Sequence, residues 1–537
     1  MPEGRGPRAA MTMATQPSTK EDLIQQDIKR LHGLGYAQEL YRAMGGFSNF
    51  AISFTIISIL SGALTLFGAG MFSAGPVAGS IGWPLVSIFV VIVGLSMAEL
   101  ASAYPTAGGL YYWSSKLGGP GWGWYTGWFN LLGQFAITAG IDYGMAFFVD
   151  FWLNLKFPNF PTDAKAILIT YAIILAVHAT MNILGIRLVA LLNDISVWWH
   201  IGGVLLIVGA LLFFAPHNPG GLSFAFKTGF TQSGFPFWYA FLLGLLLAQY
   251  TFTGYDASAH VSEETVGANT RAPWGIVMSI VVSAIAGYIL LMGLILAIPD
   301  LSKAAGLGYG AVPYILQTGL GTDAAFVLIG VAVVAQFFCG MSSVTSNSRM
   351  IYAFSRDGAM PLSKTWHTLS RRRIPANAVV LAVVCAFLLA VPSLWNTVAY
   401  FAITSISVIG LYIAYAIPVL LRRLNPSFVH GVWHLGRYSA IIGWVAVVWV
   451  AFISILFMLP AVSDWRTNPA DFNYTPVVVL GSLILLTIWW LVSVRKWFKG
   501  PIVQGDEATL QRMEAEIERE SIYHEAGVAV PAPTPKQ

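Results

Sequence analysis

The chain has little charge. Of its 537 residues only 10% are Asp, Glu, Lys or Arg, while 56% are hydrophobic, and the mean hydropathy is +0.68. A soluble domain is about one quarter charged, so a soluble multidomain protein is excluded. The charge is absent from long stretches and gathered in the short segments between them, as a bilayer requires, because an ionised side chain in hydrocarbon is costly. Cysteine is scarce as well: Cys339 and Cys385 both sit in apolar runs, which predicts no disulfide and no metal site. The polar residues 1–46 contain no short apolar core with a small-residue cleavage site, so they do not read as a secretory signal. The net charge of +4 does not imply nucleic acid, since the basic residues punctuate apolar spans and form no single face. No HExxH, no GxSxG in its context and no cluster of metal ligands is found, which removes support for an enzyme and for a cofactor.

What is present is a series of long apolar segments. Crossing about 30 Å of hydrocarbon takes roughly twenty helical residues. Such segments fall near 47–72, 82–103, 124–150, 165–184, 191–215, 236–263, 273–298, 323–346, 377–393, 396–421, 439–461 and 474–498. They predict an all-α integral membrane protein of about twelve transmembrane helices over 47–498, with a segment 1–46 before it and a tail 499–537 after it. With the N-terminus placed in the cytoplasm, the outer loops hold Lys156, Lys165, Lys227, Lys303 and Arg466, 5 of 29 basic residues. That asymmetry satisfies the positive-inside rule and predicts a multi-pass protein of the cell membrane with both termini cytoplasmic. In the tail, Leu510, Met513 and Ile517 have helical spacing; a short surface helix and a frayed tail are both open, and the final VAVPAPTPKQ reads as disordered.

Two of the spans are interrupted. The first contains SGALTLFGAG at 61–70, and the sixth contains YTFTGYDASAH at 250–260, with Gly254 and the charged Asp256 near midspan. A charge at that depth is a functional hypothesis. The breaks lie about 190 residues apart, and the spans that follow each are offset by a similar amount. Five spans opening on a broken helix, twice over, suggest an inverted repeat (about 47–215 and 236–421) with two extra helices at about 439–498. Broken helices of this kind face each other at the bilayer midplane, with half-helix N-termini for a carboxylate and unwound carbonyls for cations. Small residues that merely permit close packing are the alternative for any one glycine.

Four stretches carry a resemblance to a known family: GLSMAELASAYPTAGGLYYW at 94–113, FTGYDASAHVSEET at 252–265, SRMIYAFSRDGAMP at 348–361 and GVWHLGR at 431–437. Over roughly 40–500 the chain resembles the amino acid/polyamine/organocation superfamily, and within it the amino acid and choline permeases that include GABA permeases. The resemblance implies a LeuT-type fold of ten core helices in two inverted halves plus two added spans, and a secondary active transporter working by alternating access. It places a substrate site at Ser61, Gly62, Ala63, Leu64 and Thr65, and at Phe252, Thr253, Gly254, Tyr255 and Asp256. Many members have a Gly-Ser-Gly-like first break; here it reads Ser-Gly-Ala-Leu-Thr, which keeps small residues but alters the carboxylate pocket.

Further candidates surround that site. His200, in the fifth span, stands where proton-coupled relatives carry a lysine in place of a sodium ion, and its charge can change near neutral pH; it is a coupling candidate or a packing residue. Ser342 and Ser343 in the eighth span resemble a sodium-holding hydroxyl pair, though serine also bonds its own helix. Asp142, midway along the third span, either receives a substrate ammonium or makes a helix contact. Glu99 reads as a structural or gating group at the cytoplasmic mouth. Glu263, Glu264 and Arg271, with Arg349 and Arg356, read as a salt-bridge gate or as solvated loop charges. The expected partners are an amino acid or related amine, a proton or sodium as coupling ion, and membrane lipid. A choline or polyamine permease and a membrane nutrient sensor are the alternatives.

Overall fold

A computed structural model describes residues 19–396 and 398–525, and these are helical throughout, with no strand. Among the described residues, eleven helices are long and apolar enough to cross a membrane: Gly46–Ala63, Ala78–Ala103, Pro120–Lys156, Ala164–Leu184, Ile186–Phe214, Ala268–Leu296, Thr322–Arg356, Ala376–Leu394, Ala399–Leu424, Gly436–Leu456 and Thr475–Trp497. The remaining span, the sixth, is built in pieces from Phe237–Gly244, Leu246–Thr251 and Ala257–His260. The total of twelve therefore matches the hydropathy reading, and the span built in separate pieces is one of the two expected to break.

The sixth span unwinds over 252–256, and Gly254 adopts φ +111, a left-handed conformation that glycine alone reaches at little cost. The first span departs from the expectation. Its discontinuity is not at 61–65 but at Ser58 (φ 22), after which Ile59–Ala63 forms a wide π-helical turn. A second irregularity at Leu66 precedes the outer segment Phe67–Ala74. Residues 59–65 are thus an offset turn between two half-helices, with the chain redirected three residues before the small Ser61-Gly62-Ala63 run.

Two units of short helix, glycine and long span have a similar build. A ten-residue helix, Gly109–Gly118, leads through Gly119 (φ 89, ψ 178) into the long third span. A ten-residue helix, Ala311–Leu320, leads through Gly321 (φ 84, ψ 168) into the long eighth span. The third span begins on the face that carries the termini, where Pro120 lies against Gly500. The eighth ends on that face, where the Arg356 guanidinium lies 3.9 Å over the Tyr36 ring. The two units therefore run in opposite senses.

Both ends of the described chain meet on one face. Thr19 caps the helix Lys20–Gly33 through a capping box with Asp22. The tail forms the helix Glu507–Glu525, and its Leu510 is buried; of the two readings of the tail, the helix is observed, docked and not frayed. His32 of the first helix sits between Glu507 (2.9 Å) and Glu514 (2.7 Å) of the last. The expectation for 528–537 lies outside the described residues.

Candidate functional site

The two breaks touch. A Cβ on Gly62 would lie 2.9 Å from the Thr251 Cα, and one on Gly254 would lie 2.2 Å from Ile56 Cγ2. Both glycines are required by this approach, since a real Cβ does not come so close. Toward the termini the half-helices are tied together: Ser53 Oγ donates to the Tyr255 carbonyl (2.9 Å) and accepts from the Ser258 N–H (2.9 Å), while Asn49 Nδ2 donates to the Ser258 carbonyl (3.0 Å). Within the first break, the N–H groups of Ser61 and Gly62 both donate to the Ser58 carbonyl, at 2.8 and 3.0 Å. Thr65 Oγ1 returns to the Ser61 and Gly62 carbonyls, and Ala63 and Leu64 are buried. The Gly62 amide, expected to be open for a carboxylate, is thus occupied inside the turn.

Buried polar atoms without a well-formed hydrogen bond gather around the breaks. They are the hydroxyls of Tyr250, Tyr255 and Tyr412, Gln249 Nε2 and Gln336 Oε1. Gln336 reaches the first break by donating to the Leu60 carbonyl (3.3 Å), and Thr253 Oγ1 donates to the Gln249 carbonyl (2.8 Å). Tyr412 lies within reach of Tyr255 and Gln249, and Tyr250 within reach of Tyr400, so the two facing breaks are bordered by polar groups that a polar ligand can engage. Phe252 packs on the other side, its ring 4.6 Å from that of Trp83. Asp256 is engaged by the protein: Tyr415 donates to Oδ1 (2.7 Å), and Gln134 Nε2 (3.1 Å) and His260 Nε2 (3.2 Å) reach Oδ2.

The coupling candidates are not brought together as expected. His200 Nε2 meets Ser58 Oγ at 2.7 Å, and Nδ1 meets the Ser196 carbonyl at 2.8 Å. Its contact is therefore with the residue at which the first span breaks, and not with Ser342 and Ser343. Ser342 donates to Asn193 on the same fifth span, and Ser343 bonds Thr138 of the third (2.7 Å). Asp142 is paired with His178 of the fourth span (3.2 Å) against Gly340 of the eighth; the helix contact is what is observed, and His178 carried no signal in sequence.

The gate candidates separate into two clusters. Arg356 clasps Glu263 with two bonds of 3.0 Å, and Arg349 Nε donates to Glu264 (2.8 Å); all four side chains are buried, which corrects the solvated-loop reading. Arg271 is not part of this: it donates to the Val266 carbonyl (2.8 Å) and packs against Gly46. Glu99 belongs elsewhere, accepting from Ser439 (2.6 Å) and Arg423 (3.4 Å) with His430 at 3.2 Å. The 431–437 stretch docks there through the Trp433 N–H on Ser102 Oγ (3.0 Å). Sequence reasoning missed the N-terminal residues that bond to the same segment. Gln38 donates to the Glu263 carbonyl (2.8 Å), and Arg42 donates to the carbonyls of Ser262 and Thr265. Glu39 receives Tyr352 and Gln504, and Asp357 receives Tyr36 (2.9 Å) and the Ile502 N–H (2.9 Å). Burial pushes the Asp357 carboxyl up to about 6 despite Arg356 beside it. Burial acts on Glu39 in the same sense, but His367, Arg356 and Tyr352 outweigh it and hold that carboxyl at about 2.

A twelve-span membrane bundle with two facing broken helices, closed on one face by buried ion pairs, has the build of a secondary transporter. The chain belongs to the amino acid permease family: the family model described as "Amino acid permease" matches residues 44–483. It is 43% identical to the amino-acid permease BAT1 of Arabidopsis thaliana, over 88% of this chain and 96% of the relative. It is 31% identical to the GABA-specific permease of Saccharomyces cerevisiae over 88% of this chain and 86% of that one. It is 27% identical to a putative polyamine transporter of Candida albicans over 90% of each.

Proposed function

We propose that this permease carries zwitterionic amino acids or GABA-like amines, coupled to protons, with the termini in the cytoplasm and the cytoplasmic side closed in the state described. The observation that carries the site is the close contact of the two breaks, bordered by buried polar side chains. The Tyr255 carbonyl is taken by Ser53 and that of Gly254 by the Ala257 N–H, so the substrate ammonium falls to the Phe252 and Thr253 carbonyls. The carboxylate falls to the first amides after Ser58, ahead of the Ser61 and Gly62 N–H groups that the Ser58 carbonyl occupies, where a helix start offers donors and a positive dipole end. Asp256 already holds Tyr415, Gln134 and His260, so it is not the anchor for a substrate amine. The seven-to-ten correspondence of the second half with two-to-five of the first, and the opposed senses of the third and eighth spans, support a five-plus-five inverted repeat over 47–421.

His200 supplies a route for coupling. Its Nδ1 faces a carbonyl acceptor and so carries a proton; the neutral Nε2 then accepts from the Ser58 hydroxyl, and protonation turns it into a donor there. A change of donor at the hinge residue of the first span biases a two-state carrier by differential contact in the two states. Uptake of labelled GABA, other amino acids, choline and putrescine into proteoliposomes tests the reading. Saturable amino acid uptake driven by an inward proton gradient, with the drive weakened but exchange retained in His200→Gln, is the expected result. Uptake that needs external sodium and ignores the pH gradient overturns the proton assignment, and transport of putrescine or choline alone overturns the substrate class.

A further inference from the structure

On the face of the termini, a pocket of about 500 Å³ lies between the turn joining the fourth and fifth spans and the loop before the ninth. Four arginines line it, Arg187, Arg371, Arg372 and Arg373, and no acidic side chain does. The loop is held in a tight turn: the Arg373 N–H donates to the Ser370 carbonyl and the Ser370 N–H to the Ile374 carbonyl, both at 2.8 Å. Arg373 adopts φ 57 there, a conformation that costs a non-glycine residue energy and that persists where the surroundings or a function require it. Its Nε is buried without a hydrogen-bond partner. Arg187 donates to the Tyr41 hydroxyl (2.6 Å) and lies over its ring, and Arg372 donates to the Leu184 carbonyl (3.0 Å). Glu514 and Glu518 line the neighbouring polar cleft, which Arg187 and Arg373 share and where both carboxylates act on Arg373; Arg371 and Arg372 line this pocket and not that cleft.

The pocket opens onto lipid. Leu184 at its rim is 52% exposed, and Leu191 and Ile195, which follow Arg187 at intervals of four on one face of the fifth span, are 57% and 44% exposed. That stripe runs into an apolar groove of about 380 Å³ between the fifth and eighth spans, lined by Trp198, Trp199, Gly202 and Val331 among others. From Arg187 to Trp198 is about 17 Å along the helix axis, close to the depth of one leaflet. We propose that the arginine pocket binds the phosphate of an anionic phospholipid of the cytoplasmic leaflet, with one acyl chain lying along Leu191 and Ile195 into the groove at Trp198. Guanidinium groups suit phosphate through paired donors, and basic pockets between spans on the cytoplasmic side are where such headgroups bind. The leaflet follows from the orientation proposed above; the pocket and its ligand chemistry do not depend on the transport reading.

The test uses the full chain purified in a neutral detergent, titrated with dioleoylphosphatidylglycerol, dioleoylphosphatidylcholine or glycerol phosphate while thermal unfolding is followed. The anionic lipid is expected to raise the midpoint saturably, and the other two are expected not to. Removing two arginines, Arg187→Gln with Arg373→Gln, is expected to weaken the apparent affinity for the anionic lipid about 30-fold, each residue contributing roughly a factor of five. Should that variant fail to fold, Arg371→Gln alone is expected to give about a fivefold loss. Arg495→Gln with Lys496→Gln, an exposed basic pair elsewhere on the same face, is expected to bind as the unaltered protein does. Equal stabilisation by phosphatidylcholine, unchanged affinity in the pocket variants or equal loss in the Arg495/Lys496 control overturns the proposal. An equal response to glycerol phosphate shows a soluble-anion site and overturns the lipid assignment.

Discussion

Replacing Arg356 by Gln strands the Glu263 carboxylate. In the closed arrangement Arg356 makes two 3.0 Å bonds to that carboxylate, and the side chains of the pair are 2% and 0% exposed. Removing one partner of a buried pair costs about 3–5 kcal/mol, most of it the uncompensated charge left behind. If the pair exists only while this face is closed, water solvates Glu263 once it opens, and the penalty falls on the closed state alone. Even the lower figure shifts the balance between states on the order of a hundredfold. Cys339 reports the opening: it is wholly buried, with its sulfur 3.2 Å from the Ile56 carbonyl beside the first break. In a Cys385→Ala background, alkylation of Cys339 by a membrane-impermeant thiol reagent added on the termini side should accelerate strongly in Arg356→Gln. Glu263→Gln with Arg356→Gln, which leaves no stranded charge, should label more slowly than the single variant. A folded Arg356→Gln protein that labels at the unaltered rate refutes the gate.

Three more expectations concern titration and docking. Burial pulls the His32 ring down, but its bonds to Glu514 and Glu507 raise it on balance. The docking energy is therefore full below the ordinary histidine range and is lost as pH rises through the elevated value. The protection factors of Glu507–Glu525, exchange rates divided by the intrinsic rates at each pH, should fall on going from acid to alkaline pH, and His32→Ala should remove that fall. The Asp357 carboxyl, raised from 3.8 to about 6, binds its proton more readily in the folded chain than in the unfolded one. Stability should then fall by about 3 kcal/mol as pH rises from 4 to above 6, a slope that thermal unfolding of Asp357→Asn should lack. Glu39, held at about 2, has the opposite sign, so Glu39→Gln should remove a loss of stability that sets in as pH falls toward 2.

The bundle was legible because bilayer physics writes it in composition: twenty-residue apolar runs, basic residues on one side, and glycine where a helix unwinds. Gly254 could be located because no other residue reaches φ +111 cheaply. Ser58 could not, since a serine at φ 22 looks in sequence like any other helix serine, and the small residues three positions later drew the break to themselves. Clustered charge left Glu263 and Glu264 open between ion pairs and solvated loop charges, and Arg271, seven residues beyond Glu264, donates to the Val266 carbonyl. The cluster made by Tyr36, Gln38, Glu39, Arg42 and Gln504 joins residues more than four hundred positions apart, and no local pattern encodes such a meeting. His200 was singled out for its chemistry; only the fold shows that its partner is Ser58.

The central claim is that substrate sits between the two breaks. It is tested most directly by equilibrium binding of a labelled substrate to Gly62→Val and Gly254→Val proteins that remain monodisperse and membrane-inserted. At Gly62 a Cβ would come within 2.9 Å of the Thr251 Cα, and at Gly254 within 2.2 Å of Ile56, so either change must displace the facing half-helices. Loss of saturable binding in both variants is the expected result, and affinity retained in both would place the substrate elsewhere.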